Sequence, residues 1–337
     1  MSETIRISTI QSTRNPSVAG LRTNPFSDDF VLADLFESIE RNLAWFETLF
    51  EQAAANQCQL TTVTEDFTRI AKTSTYLDDR AIFQEAVARQ TPLIAERLSA
   101  AASKHDMHIV ACYYALEDDK IYNVADLFAP RRGMVGRYRK VHLPQYEKWQ
   151  VSAGSSFPAF ETDLGWIGML VCYDQKWPEA AACCALNGAQ LICHPSAAML
   201  PDYQMRARAM DYQVHVLSST WKHSMIASPR AEILADAGDQ ETAVVWADVN
   251  LEGATKADKR FWEYLYSGIQ DHKERHLKFR RPDAYGVLTE ARPLLTNQYP
   301  EGGVADHPEA IEEVYRIHRE MQQKIARGEQ VPYHWRW

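Results

Sequence analysis

Leu32, Leu35, Phe36, Ile39, Leu43, Phe46, Phe50 and Ala53 recur at spacings of three and four. That spacing puts them on one face of a long amphipathic helix over 31–56. Before it, Ile5-Arg6-Ile7-Ser8-Thr9-Ile10 alternates apolar and polar residues, as a first strand would, and a polar loop runs through Asp29. Residues 58–64 read as a second strand ending just before Glu65-Asp66-Phe67. Thr91-Pro92 has the form of an N-cap followed by proline at the first helical position, opening a helix to about His105. Three strand-like runs rich in aromatic and β-branched residues follow, at 108–116, 122–129 and 134–143. Ile167–Tyr173 is a short apolar strand, and Pro178 opens an Ala-rich helix that stops at Asn187-Gly188. Leu191–His194 is another strand, 202–213 a helix, and 215–221 and 242–249 two further strands.

Strands alternating with helices predict an α/β protein layered around one core. Linkers, repeats and low-complexity stretches are missing from the sequence, so residues 1–251 read as one domain. From residue 252 the character changes. Aromatic and charged residues dominate (Arg260-Phe261-Trp262, then His276 to Tyr285), and a helix is expected near 308–327. Residues 252–337 therefore form a C-terminal extension, expected to pack on the domain or on a partner subunit.

Composition narrows the classes. The 337 residues are 46% hydrophobic, enough for a sizeable core, and the net charge of −9 works against binding a phosphate backbone. No apolar run approaches the ~20 residues needed to cross a bilayer, and the N-terminal residues lack a signal-peptide pattern. A cytoplasmic protein that engages neither nucleic acid nor membrane is expected. Six cysteines without a C-x-x-C pair fit reduced thiols better than a disulfide scaffold.

Among those cysteines, Cys172 stands apart. It ends an apolar strand just before a turn and a proline-initiated helix. Helix N-terminal amides at such a place favour thiolate over thiol and supply donors for an oxyanion. Cys58, Cys112, Cys183, Cys184 and Cys193 read as buried structural thiols. His272 and His276, four apart, could share a helix face as metal ligands, but the intervening Lys273-Glu274-Arg275 favours a solvated helix, and neither metal nor cofactor is expected.

Two segments carry a family resemblance. Val171-Cys172-Tyr173-Asp174-Gln175-Lys176-Trp177-Pro178-Glu179 resembles the nucleophile motif of the nitrilase (carbon–nitrogen hydrolase) superfamily. Gly136-Arg137-Tyr138-Arg139-Lys140-Val141-His142-Leu143 is similar to its lysine motif, and Glu65 falls where the family places its catalytic glutamate. The likeness runs from Ile5 to about Asn250. It implies a four-layer α-β-β-α sandwich, paired as a homodimer or larger even-numbered oligomer. It also implies a cysteine nucleophile (Cys172), a base (Glu65) and a cation (Lys140) that stabilises the oxyanion together with the Tyr173 N–H. Tyr146-Glu147-Lys148-Trp149, followed by Gly154, is similar to the segment that supplies a second glutamate in amidase and carbamoylase branches, which nominates Glu147. The family's glutamate usually follows proline, whereas Val63-Thr64 precede it here.

The branch can be read further. Nitrile-cleaving members carry tryptophan and glutamate after the cysteine, where this chain has Tyr173-Asp174; its Asp174-Gln175 pair and Tyr146-Glu147-Lys148 segment are more similar to N-carbamoyl amine and amino-acid amidohydrolases. An amide or ureido substrate is expected, with Tyr173, Lys176 and His194 as candidate substrate-binding residues. Gln175-Lys176 replaces the two arginines with which D-amino-acid carbamoylases hold a carboxylate, leaving one cation in place of two forks. A nitrilase and an acyltransferase that uses the same triad remain alternatives. A silent scaffold fits poorly with all three triad residues present.

Overall fold

The computed structural model describes residues 4–12, 32–70, 80–144, 147, 150–197, 202–252 and 268–290, with isolated positions between 316 and 329. Arg260-Phe261-Trp262, Tyr146, Lys148, Trp149 and most of the helix expected near 308–327 lie outside the described residues.

Two mixed sheets of six strands each form the body. The first contains β1 (Ile5–Ser12), β2 (Leu60–Thr62), β3 (His108–Glu117), β4 (Lys120–Ala129), β5 (Gly133–Arg139) and β12 (Thr242–Val249), in the order β12-β1-β2-β3-β4-β5. Strands β1, β2 and β3 run parallel, and the remaining pairs are antiparallel. The second contains β6 (Ala159–Thr162), β7 (Gly165–Met169), β8 (Leu191–Pro195), β9 (His215–Ser219), β10 (Met225–Ala227) and β11 (Ile233–Asp236), in the order β11-β10-β9-β8-β7-β6. Here β7, β8 and β9 are the parallel strands.

Three apolar layers set the stacking. Helices α1 (Leu32–Ala55) and α2 (Arg80–His105) cover the outer face of the first sheet, burying Leu35, Ile39, Leu43, Phe46, Phe50 and Ala53 against Ile109, Ala111 and Tyr113. A second layer lies between the sheets and joins Ile7, Leu60, Val110 and Leu127 to Ile167, Met169, Leu191 and Leu217. In the third, α3 (Pro178–Leu186) and α4 (Asp202–Tyr212) pack Ala180, Ala181, Cys184, Met205 and Ala209 on the outer face of the second sheet. The result is the expected α-β-β-α sandwich. Polar threads cross the seam between the sheets: Thr9 Oγ1 donates to the Ser218 carbonyl at 3.1 Å, and Ser219 Oγ donates to the Ile10 carbonyl.

The predicted helix opening at Thr91-Pro92 is corrected. Helix α2 begins at Arg80 and carries Pro92 within it. Thr91 caps nothing; its Oγ1 donates to the Val87 carbonyl at 2.7 Å and accepts from the Leu116 N–H at 3.0 Å. Proline removes one backbone donor, but Phe83, Ala86 and Val87 before it are buried in the same core as Ile94, Leu98 and Ala102 after it. Continuous packing holds the helix together across the break.

Beyond β12, residues 268–290 include α5 (His272–Lys278), N-capped by Asp271, whose side chain accepts from the Glu274 N–H at 2.8 Å. Lys273 Nζ donates to the Ala189 carbonyl, so this part of the extension rests on the second sheet's side of the domain. No helix among the described residues is long and apolar enough to cross a membrane, and none of their His, Cys, Asp and Glu side chains form a group able to hold a metal.

Candidate active site

A parallel strand directs its next loop to its C-terminal end, and ligands and catalytic groups gather where such ends meet. Glu65 follows β2, Lys140 follows β5, Cys172 follows β7 and Ser196 follows β8. Register brings β3 and β4 to the same edge, since Tyr114 pairs with Asn123, and Val124 with Arg139. Both sheets thus deliver side chains to one end of the seam.

Lys140 is at the centre. Its buried Nζ donates to Glu65 Oε1 at 2.8 Å and to Glu147 Oε2 at 2.6 Å. Each carboxylate has further donors. Glu65 Oε2 accepts from the Ala197 N–H at 3.0 Å, and Glu147 Oε1 accepts from the Tyr114 hydroxyl at 3.1 Å. Asn123 Nδ2 donates to Glu65 Oε1 at 2.8 Å and to Glu147 Oε1 at 2.5 Å. The Cys172 thiol lies beside Glu65 and Ser196. Glu65, Lys140, Glu147 and Cys172, nominated separately along 108 residues, therefore meet in one cluster.

Electrostatics separates the four groups. Burial pushes the Glu65 carboxyl up, but the charge of Lys140 and hydrogen bonds from Lys140 and Asn123 outweigh it and hold the group below the ordinary carboxylate value. Glu147 goes the other way: burial, helped by the charge of Glu65, raises it despite Lys140. Burial alone would lower Lys140, yet the two carboxylates keep its ammonium well above the usual lysine value. Cys172 is pushed up to about 12, first by burial and then by the adjacent Glu65. Burial and the neighbouring carboxylate both favour the protonated thiol.

The backbone at Cys172 is also unusual. Cys172 opens a short 3-10 turn, Cys172–Lys176, with φ of +43°, a conformation that costs a β-carbon-bearing residue energy and tends to occur at functional sites. Asp174 secures this turn. Fully buried, it accepts from the Val171 N–H at 2.9 Å, the Tyr138 hydroxyl at 2.7 Å and the His142 N–H at 3.0 Å, with His142 Nδ1 a further 2.9 Å contact. The His142 ring stacks on Trp177 at 4.0 Å between centroids. One carboxylate thereby clamps the segment after Lys140 to the turn that bears Cys172.

The three candidate substrate contacts fall in different places. Tyr173 is half-buried with its ring edge-on to Trp177 at 5.0 Å, and Lys176 is exposed. His194 is fully buried, with Nδ1 2.9 Å from Ser218 Oγ and Nε2 3.2 Å from the Cys172 carbonyl oxygen. It grips the Cys172 backbone, and both ring nitrogens are engaged. Asn123, Tyr114, His142 and Asp174 were not nominated from sequence. The signal that could have found the last two was their position inside the two quoted motifs.

The two-sheet sandwich thus brings a cysteine, a lysine and two glutamates together at one end of its seam. The carbon–nitrogen hydrolase family model matches residues 31–259, and the chain belongs to that family, within the nitrilase superfamily. It is 33% identical over 184 residues to omega-amidase NIT2 of Xenopus tropicalis, an alignment covering 47% of this chain and 66% of the relative. The chain thus spans just under two thirds of the omega-amidase. A nitrilase of Pyrococcus abyssi is 30% identical over 226 residues, covering 63% of this chain and 84% of the relative. The crystal structure of a carbon–nitrogen hydrolase from Helicobacter pylori G27 superposes with a TM-score of 0.66 at 20% identity, covering 86% of this chain and 99% of that one, a likeness of fold.

Proposed function

We propose that the protein hydrolyses a carboxamide C–N bond through a thioester on Cys172. The observation that carries this reading is a buried ammonium, Lys140, held 2.8 Å and 2.6 Å from two carboxylates, one of which lies beside the Cys172 thiol. A protonated thiol needs a base, and Glu65 is the acceptor beside it.

Sulfur attacks the carbonyl carbon while Glu65 takes the thiol proton; a carboxyl held low is a weak base toward such a thiol, so proton transfer accompanies C–S bond formation. Lys140 and the Tyr173 N–H stabilise the oxyanion. As the C–N bond breaks, Glu65 returns the proton to the departing nitrogen and ammonia or an amine leaves. Water then attacks the thioester, giving a proton to Glu65, and collapse releases the acid and restores the thiol. Glu147 holds Lys140 against Glu65 throughout.

Similarity to an omega-amidase favours a simple amide; an N-carbamoyl group, which presents the same carbonyl flanked by nitrogen, is the finer alternative. Lys176 would draw an acidic substrate tail. The decisive test is ammonia release from matched panels of amides, N-carbamoyl amines and nitriles, acidic and neutral, by wild type and Cys172→Ala. Amide turnover lost in Cys172→Ala supports the reading; nitrile-only activity, or turnover surviving the substitution, refutes it. Added hydroxylamine trapping a hydroxamate would report the thioester and compare amine with water as acceptor. Copies of the chain are proposed to pair, and light scattering that finds only monomer would count against that.

A further inference from the structure

Two carboxylates share one ammonium in this site, so the cluster carries an excess negative charge unless another group answers it. Asn123 sits at that point. Its Nδ2 is 2.8 Å from Glu65 Oε1 and 2.5 Å from Glu147 Oε1, while its Oδ1 accepts from the Cys112 thiol at 3.2 Å. The orientation is forced from both sides. An amide oxygen turned toward two carboxylates would repel both, and the Cys112 thiol, pushed well above its ordinary value by burial and by Glu65, stays a donor. Asn123 and Cys112 are fully buried, so water cannot substitute for either contact at no cost.

We propose that Asn123 is a positioning residue. Locked by the Cys112 thiol, it divides its two N–H donors between Glu65 and Glu147 and keeps Glu65 ionised as the acceptor of the thiol proton.

This rests on Glu65 being the base proposed above. The groups facing Asn123 come from every element around it: Glu65 after β2, Cys112 and Tyr114 on β3, Lys140 after β5, and Glu147 in the following loop. Cys172 joins them from the second sheet through Glu65. Removing the Asn123 donor takes away a hydrogen bond that lowers Glu65. The acid side of the activity profile should then move to higher pH.

The test follows the pH dependence of Cys172 alkylation by iodoacetamide, a readout independent of turnover, in wild type, Glu65→Gln, Asn123→Ala, Asn123→Asp, Cys112→Ala and Cys112→Ser, with Cys172→Ala as the blank. Circular dichroism confirms that each variant is folded. Asn123→Ala is expected to move the acid limb of alkylation upward by about one to two pH units, as loss of a hydrogen bond to a charged group implies. Asn123→Asp should move it further, by putting a third carboxylate where the donor was. Cys112→Ala should show a smaller shift of the same sign and Cys112→Ser should restore the wild-type limb. An acid limb unmoved in folded Asn123→Ala and Asn123→Asp, while Glu65→Gln abolishes it, overturns the role of Asn123 alone. A limb that Glu65→Gln leaves in place overturns the assignment of Glu65, and the proposal with it.

Discussion

A thiol pushed up to about 12 next to a carboxylate held low means that the pH dependence of the reaction should report the carboxylate. Activity is expected to persist at neutral pH and to fall only as the pH drops through the lowered value of Glu65, because protonating it removes the base. Glu65→Gln should cost roughly 10²–10⁴ in kcat, the usual size of a general-base contribution, with substrate binding retained. A single-turnover experiment that found acylation unaffected in that variant would discard the assignment. His194 offers a finer residue-scale check. His194→Ala removes the grip on the Cys172 carbonyl and leaves Ser218 Oγ without that contact, so kcat should fall more than KM rises.

The elements that carry the site do so through close backbone approach. A β-carbon added at Gly154 would lie 2.1 Å from the Arg139 carbonyl oxygen, and the Gly154 N–H donates to the Lys140 carbonyl at 2.8 Å. Gly154→Ala is therefore expected to push the 139–140 backbone away and to displace Lys140 Nζ. Misplacing a catalytic group by about 1 Å can cost on the order of 10²-fold, and comparing kcat of the variant with its thermal midpoint separates this from plain unfolding. The α1 stripe was legible in the sequence because twenty-four residues repeat the period many times, and Leu35, Ile39, Leu43, Phe46, Phe50 and Ala53 of the stripe are buried. Strands β6, β10 and β11, of three or four residues each, are too short to show a period, and pairing with their neighbours forms them. Pro92 misled because local chemistry favours a helix start there, while packing on both sides of it carries the helix through. Cys172, Lys140 and Glu65 stood out by motif and order. Asn123 did not, since an asparagine within a strand looks ordinary until register sets it opposite Tyr114.

At the scale of the whole molecule, buried histidines link stability to acidity. His215, at the start of β9, is lowered to about 4 by burial, and fully buried His194 is lowered as well. The unfolded chain protonates near 6.5 and the folded one resists, so stability present above about pH 6.5 is lost as the pH falls toward about 4. His215 alone should account for about 3 kcal/mol of that loss. A thermal midpoint that declines over this window in wild type and declines less in His215→Gln would bear this out; parallel declines would not. Glu65 and Lys140 stand on one sheet and Cys172 on the other, joined across the seam by side-chain packing, by threads such as Thr9 to Ser218, by the Asp174 clamp and by the Ala197 N–H on Glu65. A slight shear along that seam would separate base from nucleophile while every strand ladder stayed paired. Under mild urea or hydrostatic pressure, turnover should disappear before the far-ultraviolet signal of the strands changes, making catalysis a gauge of how firmly the halves of the sandwich are seated.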